Sequence, residues 1–275
     1  MNRKEIAEET VRIQRQGFYE CGGRRVEIGA AQKHSEESAE LITPEQGKAL
    51  AREASDLPKL PRRAAYSVAN EASVKAIADL SKAGKGQVGV LNFASAKNPG
   101  GGFLNGAMAQ EESLAASSGL YETLLRNESY YAANRACPSM MYTDHAIYSP
   151  DVVFFRDHRF SLVEEPMTAS VLTLPAVNHG QVLLKGEDAG KAERAMKDRM
   201  RLALAIFACR GDKRLILGAY GCGVFRNDPS KVAAWWRELL EEEGFGFLFE
   251  EIRFAVLDTS RDGRTIQAFA KEFNG

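Results

Sequence analysis

Gly100-Gly101-Gly102 is followed, after a spacer of seven residues, by Gln110-Glu111-Glu112. Successive glycines let backbone amides approach a bulky or charged group with no Cβ in the way. Carboxylates beside such a surface are the groups that move protons in acid/base catalysis. A second glycine loop, Gly218-Ala219-Tyr220-Gly221-Cys222-Gly223-Val224-Phe225-Arg226-Asn227, runs into Asp228-Pro229, an N-cap and first-turn pair for a helix. Strand, glycine loop and helix N-terminus together make a seat for a phosphate. Neither loop carries GxxxxGK[ST], or GxGxxG with an acidic residue on a following strand. That excludes a P-loop NTPase and an ordinary dinucleotide dehydrogenase.

Each feature also has a plainer reading. A glycine loop on its own is a tight turn, and acidic residues at a helix start stabilise its dipole by roughly 0.3–1 kcal/mol each. Adjacent helical residues point about 100° apart. Glu111 and Glu112 are therefore expected to divide the work, one doing chemistry and the other holding substrate or loop. Phe225 is either a core aromatic or, at the tip of its loop beside Val224, a ring that packs on a ribose or base.

The elements that must position these residues follow from apolar patterning. Gln87-Val88-Gly89-Val90-Leu91-Asn92-Phe93-Ala94 reads as a buried strand leading into the first loop. A helix is expected from about 111 to 134, with Leu114, Ser118, Tyr121 and Leu125 facing inward. Further strands are expected at 152–155, 169–174, 214–219 and 252–257, and helices at 187–209, 230–243 and 263–273. Ahead of these come an amphipathic helix at 3–16 (Ile6, Val11, Ile13) and a hairpin of 17–20 with 24–28 about Gly22-Gly23. A polar stretch at 29–60, with Pro44, Pro58 and Pro61 as breakers, is expected to wrap the surface; Ser67-Val68-Ala69 then leads into a helix near 70–83. Alternating strands and helices predict an α/β fold with a helix-covered parallel or mixed sheet. One domain is expected over 1–275, with 1–60 as an N-terminal elaboration. In such sheets ligands sit beyond the carboxyl ends of the strands, where both loops fall.

The 275 residues are 44% hydrophobic and 27% charged, enough for a substantial core. Formal net charge is -1, so no global positive field draws DNA or an anionic membrane. An anionic ligand must then be held by backbone amides or a local cluster. No apolar run approaches the roughly 20 residues of a spanning helix, and Met1-Asn2-Arg3-Lys4-Glu5 lacks a signal peptide's apolar stretch. Cys21, Cys137, Cys209 and Cys222 are scattered and read as buried free thiols of a reducing cytoplasm. His34, His145, His158 and His179 form no ligand pair, so no metal is expected.

NPGGGFLNGAMAQEE with the following SSGLY, and the later GAYGCGVFRNDP, resemble the bacterial-type poly(ADP-ribose) glycohydrolases, macrodomain proteins whose signature is GGG, six to eight residues, then QEE. The resemblance implies a three-layer α/β/α macrodomain with a mixed central sheet and an N-terminal helical extension. It implies hydrolysis of ribose–ribose O-glycosidic bonds through an oxocarbenium-like state. Glu112 would protonate the departing ribose hydroxyl and then deprotonate water, while Glu111 helps fix the ribose. Asn98, Gly100, Gly101, Gly102 and Gln110 would meet the substrate on one side. On the other, Gly221, Gly223, Val224 and Phe225 would wrap the diphosphate and pack on the terminal ribose. Asp258, Thr259 and Phe269 are the expected wall of the adenine pocket. The implied partners are poly(ADP-ribose), ADP-ribose and ADP-ribosylated proteins, in a cytoplasmic DNA damage response, with no cofactor and no direct contact with nucleic acid. A macrodomain that reads ADP-ribose without turnover, and a hydrolase of protein-linked mono-ADP-ribose, are the alternatives.

Overall fold

The computed structural model describes residues 2–83 and 87–274, so the expected domain limits at 1 and 275 lie outside the described residues. Helix α1 (Arg3–Gln16) is followed by the hairpin β1 (Phe18–Cys21) and β2 (Arg24–Glu27), then α2 (Gly29–Ser38), β3 (Glu40–Ile42) and α3 (Pro44–Asp56). Next come β4 (Ala65–Ala69), α4 (Ser73–Ala83) and β5 (Val88–Ala94), then α5 (Gln110–Ser117), α6 (Leu120–Leu125) and α7 (Glu128–Ala136). The chain continues through β6 (Ala146–Arg156), β7 (Leu162–Pro175), α8 (His179–Leu184), α9 (Ala189–Arg210) and β8 (Arg214–Leu217). It ends with α10 (Pro229–Arg237), β9 (Glu251–Ala255) and α11 (Arg264–Phe273).

Seven strands form one sheet in the order β3-β6-β7-β5-β8-β9-β4. Strand β6 runs against β3 and β7, and the remaining pairs are parallel. Side chains alternate across this sheet, as the two-residue period of a strand requires. Val90, Val171 and Ile216 face a layer that includes Ile77 of α4, Leu114 of α5 and Tyr130 of α7. Leu91, Leu172, Leu215 and Phe254 face the opposite layer, with Leu204 of α9, Trp236 of α10 and Phe269 of α11. The result is the expected three-layer α/β/α arrangement around a mixed sheet.

Several sequence expectations are corrected. The 29–60 stretch does not merely wrap the surface, for it forms α2, β3 and α3, and β3 is an edge strand of the main sheet. Pro44 opens a helix instead of breaking one: it sits in the first turn behind Thr43, which accepts from Gln46 N–H. The short strand β4, expected only as a lead-in to a helix, pairs with β9. The helix expected over 111–134 is three helices. Ser118 is extended and Gly119 N–H donates to Val153 O, so the chain leaves the helix to touch β6. Leu125, expected inward, is 38% exposed.

Residues 152–155 lie within the longer β6, which bulges between Ser149 and Val152. Residues 169–174 likewise form the carboxyl half of β7. The helix expected at 230–243 ends at Arg237 and passes into a wider turn over Glu238–Glu242. The four cysteines are free but half-buried, not buried. Among the described residues, no helix is long and apolar enough to cross a membrane.

Candidate active site

Strand β8 pairs with β5 only over Val88–Val90. Past that point the edge of β5 is met by one side chain. Gln110 Oε1 accepts from Phe93 N–H at 2.9 Å, and Nε2 donates to Leu91 O at 2.9 Å and to Ser73 Oγ at 3.1 Å. Gln110 thus takes the place of a strand residue. Its amide is consumed by the fold, which corrects the expectation that it binds substrate. Both glycine loops start at these separated carboxyl ends, and the Phe93 ring lies between them, 5.7 Å from the Tyr220 ring.

In the first loop Gly101 has φ 60°, and its N–H donates to Asn98 O at 3.0 Å. A Cβ there would lie under 3.0 Å from Glu112 Oε1 and from Glu111 Oε2, so both backbone angle and space require glycine. Glu112, half-buried, accepts from Gly102 N–H through Oε1 and from Ala109 N–H through Oε2, each at 2.9 Å. Ala109 has no capping side chain of its own, so Glu112 reaches back from the third helical position to close the loop onto α5. Asn98 is exposed; its N–H donates to Ser95 Oγ, and among the described residues its side chain has no protein partner.

Glu111 lies beneath, 3% exposed. Its Oε2 accepts from Ser95 N–H at 2.7 Å, and its Oε1 is 3.4 Å from Asn92 Nδ2. Burial pushes its carboxyl up to about 8, and the charge of Glu112 adds to the rise; the Ser95, Gly100 and Asn92 donors offset part of it. Expected to help fix the ribose, Glu111 faces the Ser95 and Gly100 amides and holds the loop.

The second loop is anchored by buried groups. Tyr220 Oη donates to Leu174 O at 2.9 Å, and Asn227 Nδ2 donates to Val177 O at 2.8 Å and Gly221 O at 3.0 Å. The phosphate seat expected at the helix start is already taken. Asp228 caps α10 by accepting from Ser230 N–H at 2.8 Å and Lys231 N–H at 3.4 Å. The open donors lie earlier: among the described residues, the amides of Gly221, Gly223, Val224 and Phe225 have no protein acceptor. Gly223 is exposed with open space around it, and Val224 is 85% exposed. Phe225 is half-buried, its ring 6.0 Å from Tyr142 and its carbonyl accepting from Gly180 N–H at 3.0 Å.

The segment after β9 departs most from expectation. Phe269 is fully buried against Phe254, 5.5 Å between ring centroids, so it is core and not the wall of a pocket. The Asp258 carboxylate is likewise spent on its own loop. Oδ1 accepts from Ser260, and Oδ2 caps α11 by accepting from Thr265 N–H at 2.9 Å and Ile266 N–H at 3.1 Å. The Ser260 hydroxyl, foremost among these donors, holds it below the usual carboxylate range. Thr259 is exposed on this loop. The apolar group presented there is Leu257, 65% exposed, which the sequence reading passed over. Its signal was the last apolar residue of IRFAVL, two positions beyond the end of β9. Asn92 was also missed, although a fully buried amide within an apolar strand is itself a signal of a partner.

Open amides in the loop beyond β8, facing a glycine run that carries one buried and one half-buried glutamate, make a site for acid/base cleavage of an anionic glycoside. The chain belongs to the microbial-type PARG family, whose catalytic-domain profile matches residues 7–157. That stretch includes the first glycine loop and both glutamates, and structural matches extend over the rest. Poly(ADP-ribose) glycohydrolase from Thermomonospora curvata is 39% identical with a TM-score of 0.94, covering 98% of this chain and 99% of that one. The same enzyme bound to the inhibitor ADP-HPD is matched at 38% identity and TM-score 0.92, again over 98% and 99%. Poly(ADP-ribose) glycohydrolase from Deinococcus radiodurans in complex with ADP-ribose is 41% identical with a TM-score of 0.83, covering 90% of this chain and 98% of that one. Comparison with curated proteins gave no match. The fold is macrodomain-like, and the activity is that of a glycosidase that hydrolyses poly(ADP-ribose).

Proposed function

We propose that Glu112 is the general acid and base of this hydrolysis. The observation that carries the assignment is its carboxylate, gripped by Gly102 and Ala109 amides at the turn of the glycine run. Glu112 donates a proton to the departing ribose oxygen as positive charge develops at the anomeric carbon, then takes one from the attacking water. Glu111 is a positioning residue, acting through the Ser95 and Gly100 amides. Asn98 and the three glycines orient the terminal ribose. The open amides from Gly221 to Phe225 hold the diphosphate of an ADP-ribose unit, the ligand carried by the Deinococcus relative. Thr259 and Leu257 flank the adenine. We read the chain as one catalytic domain in which the N-terminal 60 residues brace the site. Four unpaired thiols support a cytoplasmic setting.

Release of ADP-ribose from purified polymer tests the assignment. Glu112→Gln is expected to lower kcat by about 10²–10⁴ while leaving affinity for ADP-ribose within a few-fold. Turnover that survives the substitution would remove Glu112 from this role.

A further inference from the structure

Among the described residues, four that are not glycine adopt left-handed backbone: Tyr142 (φ 59°), Asp151 (φ 50°), Phe160 (φ 67°) and Arg226 (φ 57°). Asp151 sits at the bulge of β6, and Phe160 in the turn joining β6 to β7. The other two bracket one ring, for Arg226 follows Phe225 in the chain and Tyr142 packs against it at 6.0 Å. Glycine or asparagine would hold either backbone more cheaply, and strain of this kind gathers where surrounding structure enforces it for a purpose.

The surroundings do enforce it. Buried Arg199 donates to Met141 O at 2.7 Å and Pro175 O at 3.0 Å, fixing the residue ahead of Tyr142 to the end of β7. Gly180 donates to Phe225 O, and because it lacks a Cβ the Arg226 stem can lie along it; a Cβ there would be 3.0 Å from Arg226 Cδ. Arg226 is exposed, and no carboxylate among the described residues pairs with it. Tyr142 is half-buried, and its hydroxyl has no protein partner among the described residues. An aromatic face and an unpaired guanidinium, set on one rigid corner, are the two groups that grip a nucleotide.

We propose that Tyr142 and Arg226 form a subsite for the ADP-ribose unit next to the terminal one, Arg226 meeting its diphosphate and Tyr142 its ring system. This rests on the reading that the Gly221–Phe225 amides hold the terminal unit. Poly(ADP-ribose) repeats a diphosphate in every unit, so a chain whose open amides serve one of them needs a separate group for the next. Planar guanidinium suits phosphate oxygens. The subsite distinguishes polymer from monomer.

The experiment measures KM for poly(ADP-ribose) and calorimetric Kd for free ADP-ribose in the parent, Arg226→Gln and Tyr142→Asn. Asparagine tolerates the left-handed backbone, so loss of the ring is separated from loss of the fold. Each variant is expected to raise polymer KM by about 5-fold or more, one contact's worth, with ADP-ribose Kd within about 2-fold. Removing the Arg226 charge should also flatten the log KM against log salt slope by about 0.7. Unchanged KM in both variants overturns the subsite. A parallel loss of ADP-ribose affinity overturns it too, by assigning the pair to the terminal unit. If the parent binds ADP-ribose yet releases none from polymer, the catalytic reading fails instead, and polymer Kd in the same three proteins then decides the subsite.

Discussion

Glu111 and Glu112 are adjacent in sequence and opposite in circumstance. Burial holds the Glu111 proton up to about 8, against an ordinary value of 4.5 that the unfolded chain would show. Between those two values unfolding releases a proton, so stability falls as pH rises through the window and levels off above it. Glu111→Gln removes this dependence. Its denaturant midpoint should match the parent's near pH 4.5 and exceed it at pH 8, by roughly a few kcal/mol in unfolding free energy. Equal pH profiles would show that the carboxyl is ionised in the fold. At this scale the glycine run and the adjacent carboxylates were legible in the sequence, because their types and spacing are local facts. The sequence did not reveal what Gln110, Asp258 and Phe269 do, since a side chain's task depends on which distant backbone comes within reach. Gln110 looks like a ligand-binding amide until the open edge of β5 is seen to need it.

At the scale of elements, α1 completes helix α5. Thr10 Oγ1 donates to Ala116 O and Gln14 Nε2 to Ser118 O, each at 2.8 Å, serving carbonyls at the end of α5 that its own helix leaves unpaired. Gln14 Oε1 also accepts from Glu122 N–H at 3.2 Å, so one side chain spans the break between α5 and α6. Gln14→Leu strands those groups, which costs about 1–3 kcal/mol. The melting temperature should fall by several degrees and kcat should drop with it, as calorimetry and the release assay would show. A variant with parent-like stability and kcat would mean that α1 is only a cover. The strands with strong apolar runs, such as β5 and β7, were legible from their residues. The break at Ser118 was not, because Gly119 weakens a helix without ending it, and what draws the chain out there is the hydrogen bond to Val153 of β6 and the reach of Gln14 from α1. Pro44 misled for the opposite reason: the same residue stops a helix or starts one, according to its cap.

The whole molecule carries a formal charge of -1, yet its proposed ligand is anionic. If backbone amides hold the diphosphate, few counterions are released on binding, and ADP-ribose affinity should change by less than about 3-fold between 50 and 200 mM salt. A loss of about tenfold or more in titrations would indicate that side-chain cations hold it instead. The sheet itself is closed by distant parts of the chain, with Ala65 beside Glu251. The same holds for the helix that braces the site, since Thr10 and Gln14 meet partners 106 and 104 residues further on. During synthesis at about 5–20 residues per second, α1 must wait about 5–20 s for the carbonyls it will bind. Ile13 is covered early by Tyr19 and Ile28 of the adjoining hairpin segment, but through that interval Ile6 and Ala7 lack Phe103, Ala115 and Tyr121, and the nascent protein offers a chaperone its first handhold there.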